Sequence, residues 1–183
     1  NGILFKTAAA LEQVGRIKAV ALDKTGTITK GEPSVTDIIP IAADEKALME
    51  TAYALEQKSE HPLAQAIVLE AQKRSLSAEP VQDFTALPGN GLSARMHEKN
   101  IYGGSVAFIS GLLEKSGGIP ETFIHTAERL AAQGKTPLAF ASEDAFIALI
   151  ALADTIKADS VSAVKELQKM GIHVVMLTGD NER

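Results

Sequence analysis

Cysteine is absent from all 183 residues, which excludes disulfide bridges and thiolate metal sites within the chain. No uninterrupted apolar run approaches the roughly 18 residues of a membrane-spanning helix. Ile3-Leu4-Phe5 is too short to be the apolar region of a signal peptide. Basic residues are not in excess: 18 lysines and arginines face 23 aspartates and glutamates, for a net charge of −5. Binding to phosphate backbones needs basic clusters, so nucleic acid is excluded as a partner class. Repeats and low-complexity tracts are also missing. What remains, 45% hydrophobic and 22% charged, is the composition of a soluble globular chain. Its length allows one domain or two small ones, with core enough to fold unaided.

The apolar pattern divides the chain. Ala8, Leu11 and Val14 share a helical face, and residues 17–22 form a continuously apolar run suited to a parallel strand buried on both sides. A polar turn is expected through Gly31-Glu32-Pro33, then an extended run over 35–41. Ala47, Leu48, Thr51, Ala52 and Leu55 mark a helix over 44–57, with Asp44 as its cap. Pro62 opens the next helix. Short strands are expected near 81–87, 91–96 and 99–103, and helices over 105–114 and 120–132. Two apolar runs, 137–141 and 145–150, flank Ser142-Glu143-Asp144 as a hairpin. A helix over 158–170 and a strand over 172–177 close the chain.

Both ends therefore have strand–helix–strand character, whereas the middle is hairpins and helices. The expected fold class is α/β: a doubly wound parallel sheet carrying an inserted α+β domain built on an antiparallel sheet flanked by helices. Residues 1–34 and 153–183 are assigned to the outer domain and 35–152 to the insert. Strands 17–22 and 172–177 each run into a polar loop. Ligands of open parallel sheets bind at the carboxyl ends of strands, so Asp23 and residues 178–180 are expected to share a crevice.

The first of those loops is Asp23-Lys24-Thr25-Gly26-Thr27-Ile28-Thr29. An acid at the end of a buried strand, opening onto a Gly/Thr-rich turn, suits phosphoryl transfer. Asp-Lys-Thr-Gly alone would also serve as an ordinary turn. The full heptapeptide resembles the phosphorylation motif of P-type ATPases, and Thr178-Gly179-Asp180 resembles a second motif of that family. Seven matching positions behind a buried strand argue against the plain turn, whereas Thr178-Gly179-Asp180, a common turn by itself, draws its weight from pairing with the first motif at the far end of the chain.

The resemblance implies a haloacid-dehalogenase-like outer domain, with Asp23 the phosphorylated nucleophile and Lys24 supplying positive charge to the transferring group. The Thr25 carbonyl would join Asp23 at Mg²⁺, while Thr27, Thr178 and Gly179 would hold phosphoryl oxygens beside Asp180. In phosphatases of that superfamily a second Asp stands two positions after the nucleophile and speeds hydrolysis. Here that position is Thr25, which favours a persistent aspartyl-phosphate. The main Mg²⁺ carboxylates of the family would lie beyond Arg183. These residues are thus expected to be an excised part of a longer chain, to bind nucleotide and to form little phosphoenzyme. Asp154, in Asp154-Thr155-Ile156-Lys157, is either a hinge-adjacent acid of the family or a plain helix cap.

Within the insert, Ser59-Glu60-His61-Pro62-Leu63-Ala64 and Gly89-Asn90-Gly91 resemble the nucleotide-binding domain of heavy-metal-transporting P-type ATPases. A neutral His61 can stack on adenine or hydrogen-bond to it, and Glu60 can accept from its amino group. Gly89 and Gly91 would let backbone approach the ligand. His61 alone would more simply be a capping or solvated histidine. Gly104 belongs to the same implied site, although Ser105 follows it where relatives often carry Asn.

The implied cofactors are ATP and Mg²⁺, with affinity for ATP on the order of high micromolar to millimolar. The implied partner is a transported heavy-metal ion, zinc, cadmium or lead rather than copper, exported by a pump whose membrane segments lie outside this chain. The implied location is the cytoplasmic face of a membrane. A haloacid-dehalogenase-type phosphatase and a stand-alone nucleotide-binding module are the alternatives. In the pump the insert would close over Asp23, hinging near residues 34–35 and 152–154.

Overall fold

The computed structural model describes residues 4–41 and 44–177. It divides into two compact units, one of residues 1–31 and 155–183 and the other of residues 32–154. The chain passes between them twice, within strand β2 (Thr29–Pro40) and within strand β7 (Ala145–Ile156). No turn forms at Gly31-Glu32-Pro33, because these residues are extended in β2. Pro33 is tolerated there since β2 is an edge strand, where a missing amide donor breaks no central ladder. Likewise β7 continues through 151–156, so Asp154 lies in a strand and caps no helix.

The first unit holds helix α1 (Ala8–Val14), strand β1 (Ala19–Asp23), helix α6 (Ser160–Lys169) and strand β8 (His173–Leu177). Thr7 caps α1, its hydroxyl accepting from Ala10 N at 3.2 Å. β1 and β8 pair in parallel, from Ala19 opposite His173 to Asp23 opposite Leu177. The pairing needs α6 as the crossover, as parallel strands require.

The second unit is a sheet with helices on both faces. With β2 and β7 at one side, the strand order is β2-β7-β6-β5-β4-β3, where β3 is Gln82–Leu87, β4 Gly91–Met96, β5 Lys99–Ser105 and β6 Thr136–Ser142. The pairs from β7 to β3 are all antiparallel. Helices α2 (Glu45–Glu56) and α3 (Pro62–Lys73) bury Met49, Leu55 and Ile67 against Phe140, Ile150 and Leu152 on one face. Helices α4 (Val106–Leu112) and α5 (Glu121–Ala132) bury Ile109 and Ala127 against Ala139, Ala141 and Leu149 on the other.

The two-residue period of β6 explains the split, since Phe140 faces one helix pair while Ala139 and Ala141 face the other. In β7 a register irregularity beside Phe140 and Ala141 lets Phe146 and Leu149 share a face despite odd spacing. Phe146 then meets Phe123 of α5 edge-on, with ring centroids 4.9 Å apart.

Candidate functional site

Asp23 is the last residue of β1, exposed, and opposite Leu177, the residue before Thr178 in the sequence. The chain then turns sharply. Thr25 (φ −74°, ψ 122°) and Gly26 (φ 74°, ψ −11°) take the central positions of a type II turn. The second of these favours glycine, because a Cβ is strained at positive φ. Thr29 stabilises the turn from inside. Buried at 5% exposure, its hydroxyl donates to Lys24 O at 3.0 Å and accepts from Gly26 N at 3.3 Å.

Two further groups hold this loop from the segment after β7. Lys157 Nζ donates to Gly26 O at 2.7 Å, and its backbone N–H donates to Ile28 O at 3.0 Å. Ser160 Oγ, nearly buried, donates to the same Ile28 oxygen at 2.7 Å. Thr25 and Thr27 are left exposed beside Asp23, and Lys24 is half-buried. Neither Lys157 nor Ser160 stood out in the sequence, because each acts through a backbone carbonyl that no motif announces. Thr178, Gly179 and Asp180 lie outside the described residues.

A cavity of about 420 Å³ opens in the second unit, a size usual for small-ligand sites. Its walls come from the α2–α3 junction, from residues 86–92 and 103–105, and from Leu138. His61, Gly89, Gly91 and Gly104, which the sequence placed at the nucleotide, all line it. Glu60 does not: it is exposed and not among the lining residues. The carboxylate that does line the cavity is Glu56, the last residue of α2, at 4% exposure. Burial pushes its carboxyl from an ordinary 4.5 up to about 7. Ahead of the structure, Glu56 reads as one more polar residue at a helix end. Neither lysine nor arginine is among the described residues that line the space.

His61 caps α3 and faces the cavity at once. Its Nδ1 accepts from Leu63 N at 3.2 Å, which places the ring proton on Nε2 and leaves that nitrogen as a donor. The glycines shape the wall through close backbone approaches. A Cβ at Gly91 would stand 2.1 Å from Gly103 O, and one at Gly104 would stand 2.4 Å from Asn90 O. Gly89 sits in a turn closed by Asn90 N donating to Leu87 O at 2.9 Å, with φ +76°. Ser105 uses its hydroxyl to cap α4, accepting from Phe108 N at 3.1 Å.

The family model for haloacid dehalogenase-like hydrolases matches residues 17–183. The chain belongs to that family. This haloacid dehalogenase-like chain is 41% identical over 180 residues to the copper-exporting P-type ATPase of Vibrio cholerae serotype O1, covering 98% of itself and 19% of that protein. It is 40% identical over 185 residues to the zinc/cadmium/lead-transporting P-type ATPase of Escherichia coli K12, covering 100% of itself and 24% of that protein. Among solved structures it resembles a zinc-transporting PIB-type ATPase in the E2.Pi state. There the TM-score is 0.86 at 39% identity, over 98% of this chain and 28% of the other. The chain thus spans about a quarter or less of the length of these relatives. The likeness to heavy-metal P-type ATPases expected from the motifs extends over its whole length. No described helix is long and apolar enough to cross a membrane.

Proposed function

We propose that these residues are the nucleotide-binding and phosphoryl-accepting part of a heavy-metal-transporting P-type ATPase. Residues 32–154 hold the adenosine end of ATP in the cavity bordered by Glu56 and His61. Because no cation lines that space among the described residues, its favourable contacts go to the base and ribose, and the phosphates project outward. In the reaction a carboxylate oxygen of Asp23 attacks the γ-phosphorus, the bond to the β–γ bridging oxygen breaks, and ADP departs with that electron pair. Position 25 is threonine, so no carboxylate two residues on is placed to activate water against the acyl-phosphate.

The donors at the loop suit Mg²⁺ in kind. The Asp23 carboxylate and the Thr25 carbonyl are both hard oxygen ligands on exposed residues, and Mg²⁺ is commonly held by one or two carboxylates plus substrate phosphates and water. When bound, the ion would neutralise charge developing on the transferred phosphoryl group. Thr27, Thr178, Gly179 and Asp180 would position that group.

Two terminal motifs on one chain, with a nucleotide-sized cavity between them in sequence, carry this reading. Relatives that move copper and relatives that move zinc, cadmium or lead are equally similar, so the cargo is a heavy-metal ion. Within that class the Leu11-Glu12 and Gly15-Arg16-Ile17-Lys18 spacing resembles zinc/cadmium/lead exporters more than copper exporters, which is the ground for preferring those ions. The intact pump would present this part on the cytoplasmic face of its membrane and export the ion. The test is acid-quenched labelling of the intact pump with γ-labelled ATP, Mg²⁺ and metal ion. Label is expected in the wild type and absent in Asp23→Asn. Rapid hydrolysis of a generic phosphate ester without stable labelling would favour the phosphatase alternative.

A further inference from the structure

The connection between α2 and α3, residues 57–61, carries His61 on the cavity wall, yet none of it belongs to the hydrophobic core. Gln57, Lys58, Glu60 and His61 are exposed and Ser59 is half-buried. With no apolar side chain to seat it, its placement rests on hydrogen bonds. Most of these are local and fix its shape. Ser59 N donates to Glu56 O at 2.9 Å, His61 N donates to Ser59 Oγ at 3.3 Å, and Leu63 N donates to His61 Nδ1 at 3.2 Å. Such bonds travel with the connection and leave open where it stands relative to the rest of the wall. Among the described hydrogen bonds of these residues one reaches outside: Lys58 Nζ donates to Val81 O at 3.0 Å, across 23 positions of sequence.

Val81 is 5% exposed and immediately precedes β3, the strand that leads into residues 86–92 of the wall. It lies outside the β3–β4 pairing, which begins with Gln82 opposite Arg95, so Lys58 supplies its carbonyl with the partner that the ladder does not. The register of that ladder also shifts between Gln82 and Thr85, where Asp83 has φ 52°. The start of β3 is therefore held by side chains. Lys58 engages Val81 O, while Arg95 engages Gln82 Oε1 at 3.2 Å and Asp83 Oδ2 at 2.9 Å. Pairing is regular where β3 reaches the cavity, with Ala86 opposite Leu92 and Leu87 opposite Gly91.

We propose that Lys58 is a positioning residue: its ammonium braces the connection that carries His61 against the start of β3, and so fixes how His61 stands to residues 86–92 of the same wall. The proposal rests on the adenine-nucleotide reading above and adds to it a residue outside the recognisable motifs. Lys58 is not among the lining residues, so it acts through His61 and not by touching the ligand. Its charge serves as a hydrogen-bond donor with reach, not as a counter-charge for phosphate. A nucleoside therefore feels its loss as strongly as a nucleotide does.

The test titrates the 183-residue chain with adenosine and, separately, with ATP, following amide shifts at a temperature where circular dichroism shows every variant folded. Lys58→Met is expected to weaken both ligands by the same factor, about fivefold for the loss of one such bond. Lys58→Arg keeps a charged donor of similar reach and should bind within about twofold of the wild type. In a His61→Asn background, Lys58→Met should cost less than about twofold, because the group it positions is gone. Four results would overturn the brace and leave the nucleotide reading standing: unchanged adenosine affinity in Lys58→Met, a loss confined to ATP, no recovery in Lys58→Arg, or an undiminished loss in the His61→Asn background. Wild-type chain that shows no adenosine shifts around the cavity would overturn the nucleotide reading with it.

Discussion

Glu56 and His61 border one cavity from the two sides of a short connection, the first ending α2 and the second capping α3. The same pair thus joins a helix–helix junction to the wall of the cavity. Each residue has a structural consequence that can be measured without any ligand.

For Glu56 the consequence is a pH-dependent loss of stability. The folded carboxyl titrates near 7 and the unfolded one near 4.5, so between these values the native state holds a proton that the unfolded state has released. Stability therefore falls as pH rises through that window and stays low above it, by at most about 3 kcal/mol. Glu56→Gln removes the titration. Urea midpoints should show the variant more stable than the wild type at about pH 8, by about 1–3 kcal/mol, and close to it below about pH 5. A gap of equal size at both pH values would mean that native Glu56 is solvated.

His61 carries two roles that one substitution pair can separate. Asparagine is a good helix cap but cannot present the imidazole, whereas alanine does neither. His61→Asn should keep thermal stability within about 0.5 kcal/mol while weakening adenosine binding about tenfold, and His61→Ala should lose about 1 kcal/mol as well. Normal binding by the asparagine variant would remove His61 from the ligand site.

The glycines of the cavity wall differ in what they tolerate. Gly91→Ala drives a methyl to 2.1 Å from the Gly103 carbonyl, and that oxygen belongs to paired backbone that cannot swing away. Gly89→Ala meets open space and faces only the strain of φ +76°. Melting curves should rank them accordingly, with about 2–3 kcal/mol or more lost at Gly91 and about 1–2 kcal/mol at Gly89.

At the other unit, Lys157→Met should loosen the turn after Asp23, because the Lys157 ammonium holds Gly26 O at 2.7 Å. Hydrogen exchange of amides 24–29 should quicken, on the order of tenfold for the loss of one such bond. Adenosine binding should be unchanged, since no residue of the cavity wall is involved.

Much of the fold was legible in the residues. The turn at residues 24–27 and the helix cap Asp44 follow from local chemistry, and the burial of β6 and β7 follows from continuous apolar runs, whereas β1 and β8, equally apolar and expected to be buried on both sides, are largely exposed. The errors were those local reasoning invites. Gly31-Glu32-Pro33 has the composition of a turn, yet at the edge of a sheet the same residues run straight. β7 runs past its expected end at Ile150 because its pairing with β6 continues to Leu152. At the site, Glu60 belonged to the recognisable hexapeptide and Glu56 did not, so the choice between them could not be made from spacing.

By itself the sequence determined the chemistry available: a strand-end aspartate on a Gly/Thr turn, a histidine placed to cap a helix, and no thiol or basic surface to support other functions. Those follow from side-chain types and their nearest neighbours along the chain. Only the tertiary structure decided which carboxyl borders the cavity, with its pKa raised by burial, and which distant groups hold the loop of Asp23. Burial and hydrogen-bond partners are set by segments that meet in space after long separations in sequence. A carboxyl's preference for its proton is therefore a property of its surroundings, which the order of residues alone does not display.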